Sequence, residues 1–113
     1  MLQRILILVF ILPALLSCDG AYTLTGTVYE KNNSTDVPID SVSIKVIVRK
    51  DWSRGQTLSD SNGRFFESGL TTPFKAPYYF IFEKNGYKTD TVFKQGSKGR
   101  SEFVIEHFMI RNR

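Results

Sequence analysis

The sequence has few of the side chains that build metal centres, disulfide frameworks and common catalytic sites. Its 113 residues include one cysteine, one histidine and one tryptophan. A single cysteine excludes an intrachain disulfide and a cysteine metal cluster. No Gly-x-Ser-x-Gly motif is present, so the turn that presents the nucleophilic serine of α/β-hydrolases is missing. We therefore expect a protein without enzymatic activity, bound metal or cofactor.

The sequence also lacks a concentrated run of charge. Lys and Arg number 15 against 11 Asp and Glu, which gives a net charge of +4, and the only adjacent pair of cations is Arg49 and Lys50. Nucleic-acid sites usually need cations concentrated on one face or along one helix. We therefore expect no nucleic-acid partner. The length allows one domain with one core.

The only long apolar run lies near the N-terminus and has the organisation of a removable leader. Arg4 supplies a positive charge, residues 5–16 are mainly apolar, and the small residue Ser17 precedes Cys18. The run is shorter than the roughly 20 apolar residues that a transmembrane helix requires. The pattern predicts a signal peptide over residues 1–17.

The four residues Leu15-Leu16-Ser17-Cys18 resemble the bacterial lipobox, which directs lipid to the cysteine and cleavage before it. The resemblance implies lipid attachment at Cys18, with residues 18–21 as a tether. Two or more acyl chains, such as palmitate, anchor a protein stably, whereas one chain binds only marginally. An ordinary secretory leader and a buried N-terminal helix are the alternatives.

The lipobox resemblance also implies an address in the cell envelope. An acidic residue after the cysteine, here Asp19, favours the inner membrane under one bacterial sorting rule and surface export under another. We expect the outer membrane or the cell surface rather than the inner membrane.

After residue 21 the sequence alternates between apolar and polar residues in short runs separated by turn residues. Val42, Ile44, Val46 and Val48, for example, form one uninterrupted apolar face. Such alternation predicts β-strands, and no segment has a helical period. Seven strands are predicted over residues 22–29, 42–49, 56–59, 64–67, 78–82, 88–94 and 102–110. Short strands with turns about every ten residues indicate an all-β sandwich.

Five residues are predicted to shape two turns: Asp60, Asn62, Gly63, Gly86 and Tyr87. Asn and Gly tolerate the positive φ angles of tight turns. The Tyr87 ring is expected to cap the sandwich and leave its hydroxyl in water. Asp60 and its neighbours also resemble part of a calcium loop, but they offer too few oxygen ligands for that ion.

Core and turn positions between residues 24 and 93 follow the pattern of one family. They are Leu24-Thr25-Gly26-Thr27-Val28, Val37-Pro38-Ile39, Val42-Ser43-Ile44-Lys45-Val46, Ser59-Asp60-Ser61-Asn62-Gly63-Arg64-Phe65, Tyr78 to Phe82, and Asn85-Gly86-Tyr87-Lys88-Thr89. In these segments the chain resembles the carboxypeptidase regulatory-like domain, which is similar in fold to transthyretin (prealbumin). The resemblance implies a seven-stranded Greek-key β-sandwich over residues 22–113, used as a non-catalytic accessory module. Residues 102–113 match the family least.

His107 is the only residue that suggests general acid–base chemistry. It alternates with Phe103, Ile105 and Met109, so we expect a packed or rim histidine. Hydroxyisourate hydrolases of the transthyretin fold use several histidines and a C-terminal Tyr-Arg-Gly-Ser. This chain has one histidine and ends Ile110-Arg111-Asn112-Arg113, which argues against that activity.

The candidate ligand contacts are Trp52, Arg54 and Tyr79. An indole flanked by cations can stack on a sugar or a peptide, although a tryptophan packed back over the sandwich edge fits the same sequence. Tyr79 belongs to a strand that is apolar on both faces and so offers an interaction surface. We expect a membrane-anchored module of the cell envelope that binds or braces another protein. The alternative is a glycan-binding surface lipoprotein that uses the Trp52 loop.

Two tripeptides, Asp40-Ser41-Val42 and Asp90-Thr91-Val92, resemble a bacterial O-glycosylation signal. Patterns this short arise often by chance. O-glycosylation of Ser41 and of Thr91 are therefore two alternatives that the sequence does not decide.

The leader predicts a clear difference between the wild type and a Cys18→Ala variant expressed in a bacterial host. The wild type should sediment with membranes, at a mass equal to the chain from Cys18 plus acyl groups. The variant should lack the acyl mass, because it has no thiol to carry the lipid. Intact-mass spectrometry and membrane fractionation measure both properties, and identical behaviour of the two proteins would contradict the lipoprotein assignment.

Overall fold

The structure is a computed structural model that describes residues 20–31, 35–49, 52–71 and 75–112. The leader and Cys18 lie outside these residues. Eight strands occur in the described ranges: β1 (Gly20–Glu30), β2 (Val37–Pro38), β3 (Ser43–Val48), β4 (Trp52–Leu58), β5 (Arg64–Thr71), β6 (Pro77–Glu83), β7 (Asp90–Gln95) and β8 (Arg100–Met109). No helix in these ranges is long and apolar enough to cross a membrane.

The strands form two sheets. In the first, here called the β1 sheet, β1 lies between β5 and β8, and the short β2 pairs with the end of β1. The second, called the β3 sheet, has the order β4-β3-β6-β7. All pairs are antiparallel except β1 with β8, which run parallel. This confirms the predicted all-β sandwich, with an order compatible with the expected prealbumin-like fold, and the two-residue β2 is added to the seven strands expected.

The core lies between the two sheets and is built from the inward face of each strand. Every second residue of β3 and β6 is buried, as the period of two dictates. The buried apolar side chains are Tyr22, Leu24, Val28, Ile39, Val42, Ile44, Val46, Val48, Phe65, Ala76, Tyr78, Phe80, Phe82, Phe103, Ile105 and Met109. Aromatic rings from both sheets meet in the middle, where the Phe80 and Phe103 centroids are 5.1 Å apart. Edge-to-face packing of this kind stabilises the sandwich beyond simple burial.

Several strand boundaries differ from the predicted ones. β1 begins at Gly20, so the last two residues of the predicted tether belong to the sandwich. β4 begins at Trp52, four residues early, because it pairs with β3 from Val48 onwards across a register shift. β5 continues to Thr71, four residues beyond the predicted end of this strand at residue 67.

The extension of β5 follows from pairing rather than from propensity. β5 pairs with β1 from Thr27 opposite Arg64 down to Gly20 opposite Thr71, so every residue of β5 has a partner on β1. Gly69 lies over the Tyr22 ring, where a Cβ atom would come within 2.9 Å of a ring carbon. Gly69 is therefore a strand residue, and its lack of a side chain makes room for the Tyr22 ring.

The turn between β4 and β5 is confirmed. The Asp60 carboxylate accepts hydrogen bonds from the backbone N–H groups of Asn62 and Arg64, both at 2.9 Å. Gly63 has a φ of 74°, and a Cβ there would lie 2.4 Å from the Val28 carbonyl oxygen. The Asp60 carboxylate thus stabilises the hairpin turn, as the side chain does in an Asx-type turn.

The second turn departs from expectation at Tyr87. Gly86 adopts a φ of 89°, as predicted. The Tyr87 hydroxyl, however, donates a 2.7 Å hydrogen bond to Glu30 instead of facing water alone. Arg111 donates to the same carboxylate at 2.8 Å and lies over the Tyr87 ring. These three residues are far apart in the sequence, so local patterns do not predict the cluster. It closes the end of the sandwich where β8 finishes.

Candidate functional site

The outward face of the β1 sheet carries two exposed apolar side chains that lie in register on either side of a threonine. Phe66 on β5 and Val104 on β8 both lie opposite Thr25 of β1. Phe66 is 59% exposed and Val104 is 83% exposed. We call these three side chains the Phe66–Val104 row. Leu70, 62% exposed, lies on the same face four residues along β5 from Phe66, with the outward Ser68 between them.

The surroundings of the row combine an open groove with charge. A groove of about 590 Å³ runs beside it, and Leu58, 59% exposed, contributes to its wall. The outward positions next to the row on β8 are Glu102 and Glu106, and the next outward position on β5 is Arg64. Single exposed apolar residues are common on protein surfaces, whereas a contiguous group with a polar rim is typical of an interaction site.

The Phe66–Val104 row is absent from the predicted site residues, although the sequence contains a signal for it. Phe65 and Phe66 are adjacent, and Phe103, Val104 and Ile105 are consecutive. Neighbouring strand residues point to opposite faces. Two apolar residues in succession therefore place one in the core and one in solvent.

The outward face of the β3 sheet carries a second aromatic group. Tyr79 of β6 lies on this face, as predicted, with its ring centroid 5.4 Å from that of Phe93 on β7. Tyr79 is half-buried, whereas Phe93 is 53% exposed. Ile47 lies beside Tyr79 on β3. The side chains of this group are less exposed than Phe66 and Val104.

The other two predicted contact residues lie on β4. Trp52 begins the strand opposite Val48, and its side chain lies outside the described residues. Arg54 is half-buried, with its Nε shielded from solvent. Burial raises the pKa of the nearby Tyr22 to about 12, and the charge of Arg54 acts in the opposite direction. Part of the Arg54 side chain is thus turned towards the space between the sheets.

Both possible glycosylation positions are exposed. Ser41 lies in a bend with a φ of 60°, and its hydroxyl donates to the Asp40 carboxylate at 3.2 Å. Thr91 is on edge strand β7, where its backbone N–H donates to Asp90 at 2.9 Å. Exposure is compatible with modification at either residue, and each assignment stays a prediction.

His107 is a packed residue at the rim, which confirms the prediction. Its ring stacks on Phe82 with the centroids 4.2 Å apart. Nε2 lies 3.1 Å from the Asp90 carboxylate but is not aligned with it as a hydrogen bond. Burial lowers the pKa of His107, and Asp90 offsets only part of that effect. The described residues contain no group of three or more metal-ligating side chains.

Comparison with known proteins identifies the fold. No family model matches the sequence, and no curated protein matches it significantly. The solved structure of 3-chlorocatechol 1,2-dioxygenase from Rhodococcus opacus 1CP matches with a TM-score of 0.61 at 12% identity, over 81% of this chain and 60% of the dioxygenase. (S)-Allantoin synthase matches with a TM-score of 0.57 at 13% identity, over 82% of this chain and 42% of the synthase. The shaft pilin SpaA of Lactobacillus rhamnosus GG gives 0.54 at 11% identity, over 84% and 50%.

These similarities concern the fold alone, because the identities are very low. This chain spans between 42% and 60% of the lengths of the three proteins. Two of them are enzymes and one is a structural protein of pili. The sandwich therefore supports both kinds of role, and function has to be argued from the surfaces of this chain.

The environment of His107 predicts its titration. A buried imidazole favours the neutral form, so its pKa in the folded protein should lie below 6.5. The unfolded chain then binds the proton more readily, and the stabilisation present above pH 6.5 should be lost as the pH falls towards the folded pKa. NMR titration measures this directly, because the single histidine gives one imidazole signal.

The matched variant for this titration is Asp90→Asn. Removal of the carboxylate should lower the His107 pKa further, because only the burial effect remains. A His107 pKa at or above 6.5 in the wild type would contradict the packed environment.

Proposed function

We propose that this protein is a membrane-anchored, non-catalytic binding module of the cell envelope that docks another protein on the Phe66–Val104 row. The observation that carries the proposal is the alignment of exposed apolar side chains at Phe66 and Val104 across Thr25. Desolvating such a group contributes roughly 25 cal/mol for each Å² of apolar surface removed from water.

The row is well placed for docking because its backbone is rigid. β1 is hydrogen-bonded on both sides, to β5 and to β8, so Thr25 lies at the centre of a sheet. A backbone already fixed by strand pairing loses little further freedom when a partner binds, which reduces the entropic cost of association. The mixed charges of Arg64, Glu102 and Glu106 around the row would orient the partner and disfavour wrong ones.

The membrane anchor in this proposal rests on the leader. The Leu15-Leu16-Ser17-Cys18 segment and the preceding apolar run support lipid attachment, and β1 begins two residues after Cys18. The domain would therefore lie close to the membrane, at the outer membrane or the cell surface. The resemblance to carboxypeptidase regulatory-like domains supports an accessory role there.

The non-catalytic part of the proposal rests on how the polar residues are used. His107 is packed on Phe82, Asp60 serves a turn, and Glu30 is bonded to Tyr87 and Arg111. None of these groups is paired with a nucleophile in an open site.

Photo-crosslinking in the native host tests the docking surface. A photoreactive residue at Thr25, between the two apolar side chains, should give one discrete protein adduct. The variant Phe66→Lys should greatly reduce that adduct, because it places a charge in the contact. Denaturing electrophoresis and mass spectrometry measure the adduct.

The matched controls for this experiment lie on the opposite sheet. A photoreactive residue at Lys45 should not give the adduct, and Phe93→Lys should leave the Thr25 adduct unchanged. No adduct at Thr25, or an equal loss in both lysine variants, would overturn the proposed surface.

A glycan-binding role is the second candidate, and the Tyr79–Phe93 pair favours it. Partly exposed aromatic rings are suited to stacking on sugars, and Tyr79 and Phe93 lie side by side on the outward face of the β3 sheet. Trp52 is the aromatic residue that the sequence adds as a candidate contact. On a glycan array, Trp52→Ala and Phe93→Ala should both abolish any specific binding, whereas Phe66→Ala should not. A wild type that binds no glycan on the array would remove this candidate.

A further inference from the structure

One end of the sandwich is defined by the start of β1, and we call it the anchor end. Gly20 lies there opposite Thr71, the last residue of β5, and Arg100 begins β8 beside Ala21. In the β3 sheet the same end holds the start of β6 at Pro77 and the end of β7. The lipid-bearing Cys18 would precede this end by two residues.

The described residues of the anchor end carry exposed cations with few acids beside them. Five of them lie on its strand termini and loops: Arg49, Lys75, Lys94, Lys98 and Arg100. Among the described residues of this end, the nearest acidic residue is Glu102, two positions up β8 and 3.8 Å from Arg100.

The opposite end differs because it carries acidic residues as well as cations. Its described cations are Lys31, Arg64, Lys84, Lys88 and Arg111, and its described acids are Glu30, Asp36, Asp40, Asp60, Glu83 and Asp90. Arg111 and Glu30 form an ion pair at 2.8 Å. Among the described residues the two ends therefore carry equal numbers of cations. The net charge is nevertheless more positive at the anchor end, because the acids lie mainly at the opposite end.

The tether brings this charge to the membrane surface. Two residues span at most about 7 Å when fully extended. That distance is within one Debye length, which is about 8 Å at physiological ionic strength. Cations of the anchor end would thus act on lipid headgroups with only partial screening.

We propose that the anchor end is a docking surface for anionic lipid headgroups and holds the sandwich upright on the membrane. The proposal rests on the lipid anchor proposed above, and it adds the orientation of the domain and the class of lipid that it contacts. A basic residue close to an anionic membrane favours binding by about fivefold. The short tether holds the cations of the anchor end near the anionic headgroups, so lipid and charge both bind the membrane. Proteins that combine a lipid chain with a basic patch are anchored in the same way.

The test uses the full lipidated chain in vesicles, with a fluorophore on Ser97→Cys in the anchor-end loop. Cys18 is consumed by its thioether, so the introduced thiol is the only one free for labelling. A headgroup quencher should reduce the fluorescence more in vesicles that contain phosphatidylglycerol than in pure phosphatidylcholine. High salt should remove the difference, because the Debye length falls to about 3 Å at 1 M.

Two charge variants with the same change in net charge provide the decisive comparison. Lys75→Gln, Lys94→Gln and Lys98→Gln together should lower the docking equilibrium about a hundredfold, at about fivefold per cation. Lys31→Gln, Lys84→Gln and Lys88→Gln together should leave it nearly unchanged. A label on Asn85→Cys, at the opposite end, should not respond to lipid charge.

Each contrary outcome has a distinct meaning. Equal quenching in both kinds of vesicle, or equal losses in the two triple variants, would overturn the docking surface while the lipid anchor stands. A purified chain without acyl groups on Cys18, seen by intact mass, would overturn the anchor and this proposal together.

Discussion

The pairing of β1 with a strand on each side is the constraint on which the rest of the structure depends. β5 pairs antiparallel with β1 over residues 20–27, and β8 pairs parallel with it over residues 21–30. One strand therefore sets the register of the whole sheet. Its inward residues contribute Tyr22, Leu24 and Val28 to the core. Its outward side carries Thr25, opposite both Phe66 and Val104.

The features with local signals in the sequence could be predicted. The alternation at Val42–Val48 predicts a strand with one buried face, and the structure buries that face completely. The Asp60–Gly63 turn follows from side chains that bond their own backbone and from a glycine at positive φ. In these cases the physical cause lies within a few residues of its effect, so one segment of sequence contains the information.

The features that depend on distant partners were missed. The extension of β5 to Thr71 requires β1 as its partner, and Gly69 alone indicates a loop. The Glu30–Tyr87–Arg111 cluster joins residues that are 57 and 81 positions apart from Glu30. The Phe66–Val104 row depends on cross-strand register, which neither strand specifies by itself.

The distribution of charge in space also depends on residues that are distant in the sequence. Along the sequence the cations look scattered, and that pattern argues only against a nucleic-acid site. In the fold, the chain passes the anchor end several times, and Arg49, Lys75 and Lys98 each lie in a connection or terminus there. The topology therefore gives charges that are dispersed along the sequence a polarised arrangement between the two ends of the sandwich.

The two proposed surfaces lie at right angles, and this restricts the partner. If the anchor end faces the lipid, the strands run along the membrane normal, and the Phe66–Val104 row faces sideways. Thr25 lies five residues beyond Gly20, which corresponds to about 17 Å along a strand. A protein that docks on the row must then present its own apolar surface at about that height above the headgroups. A partner that is itself held at the membrane would bind most readily under the two proposals, because confinement to the same surface raises the effective concentration of one protein beside the other.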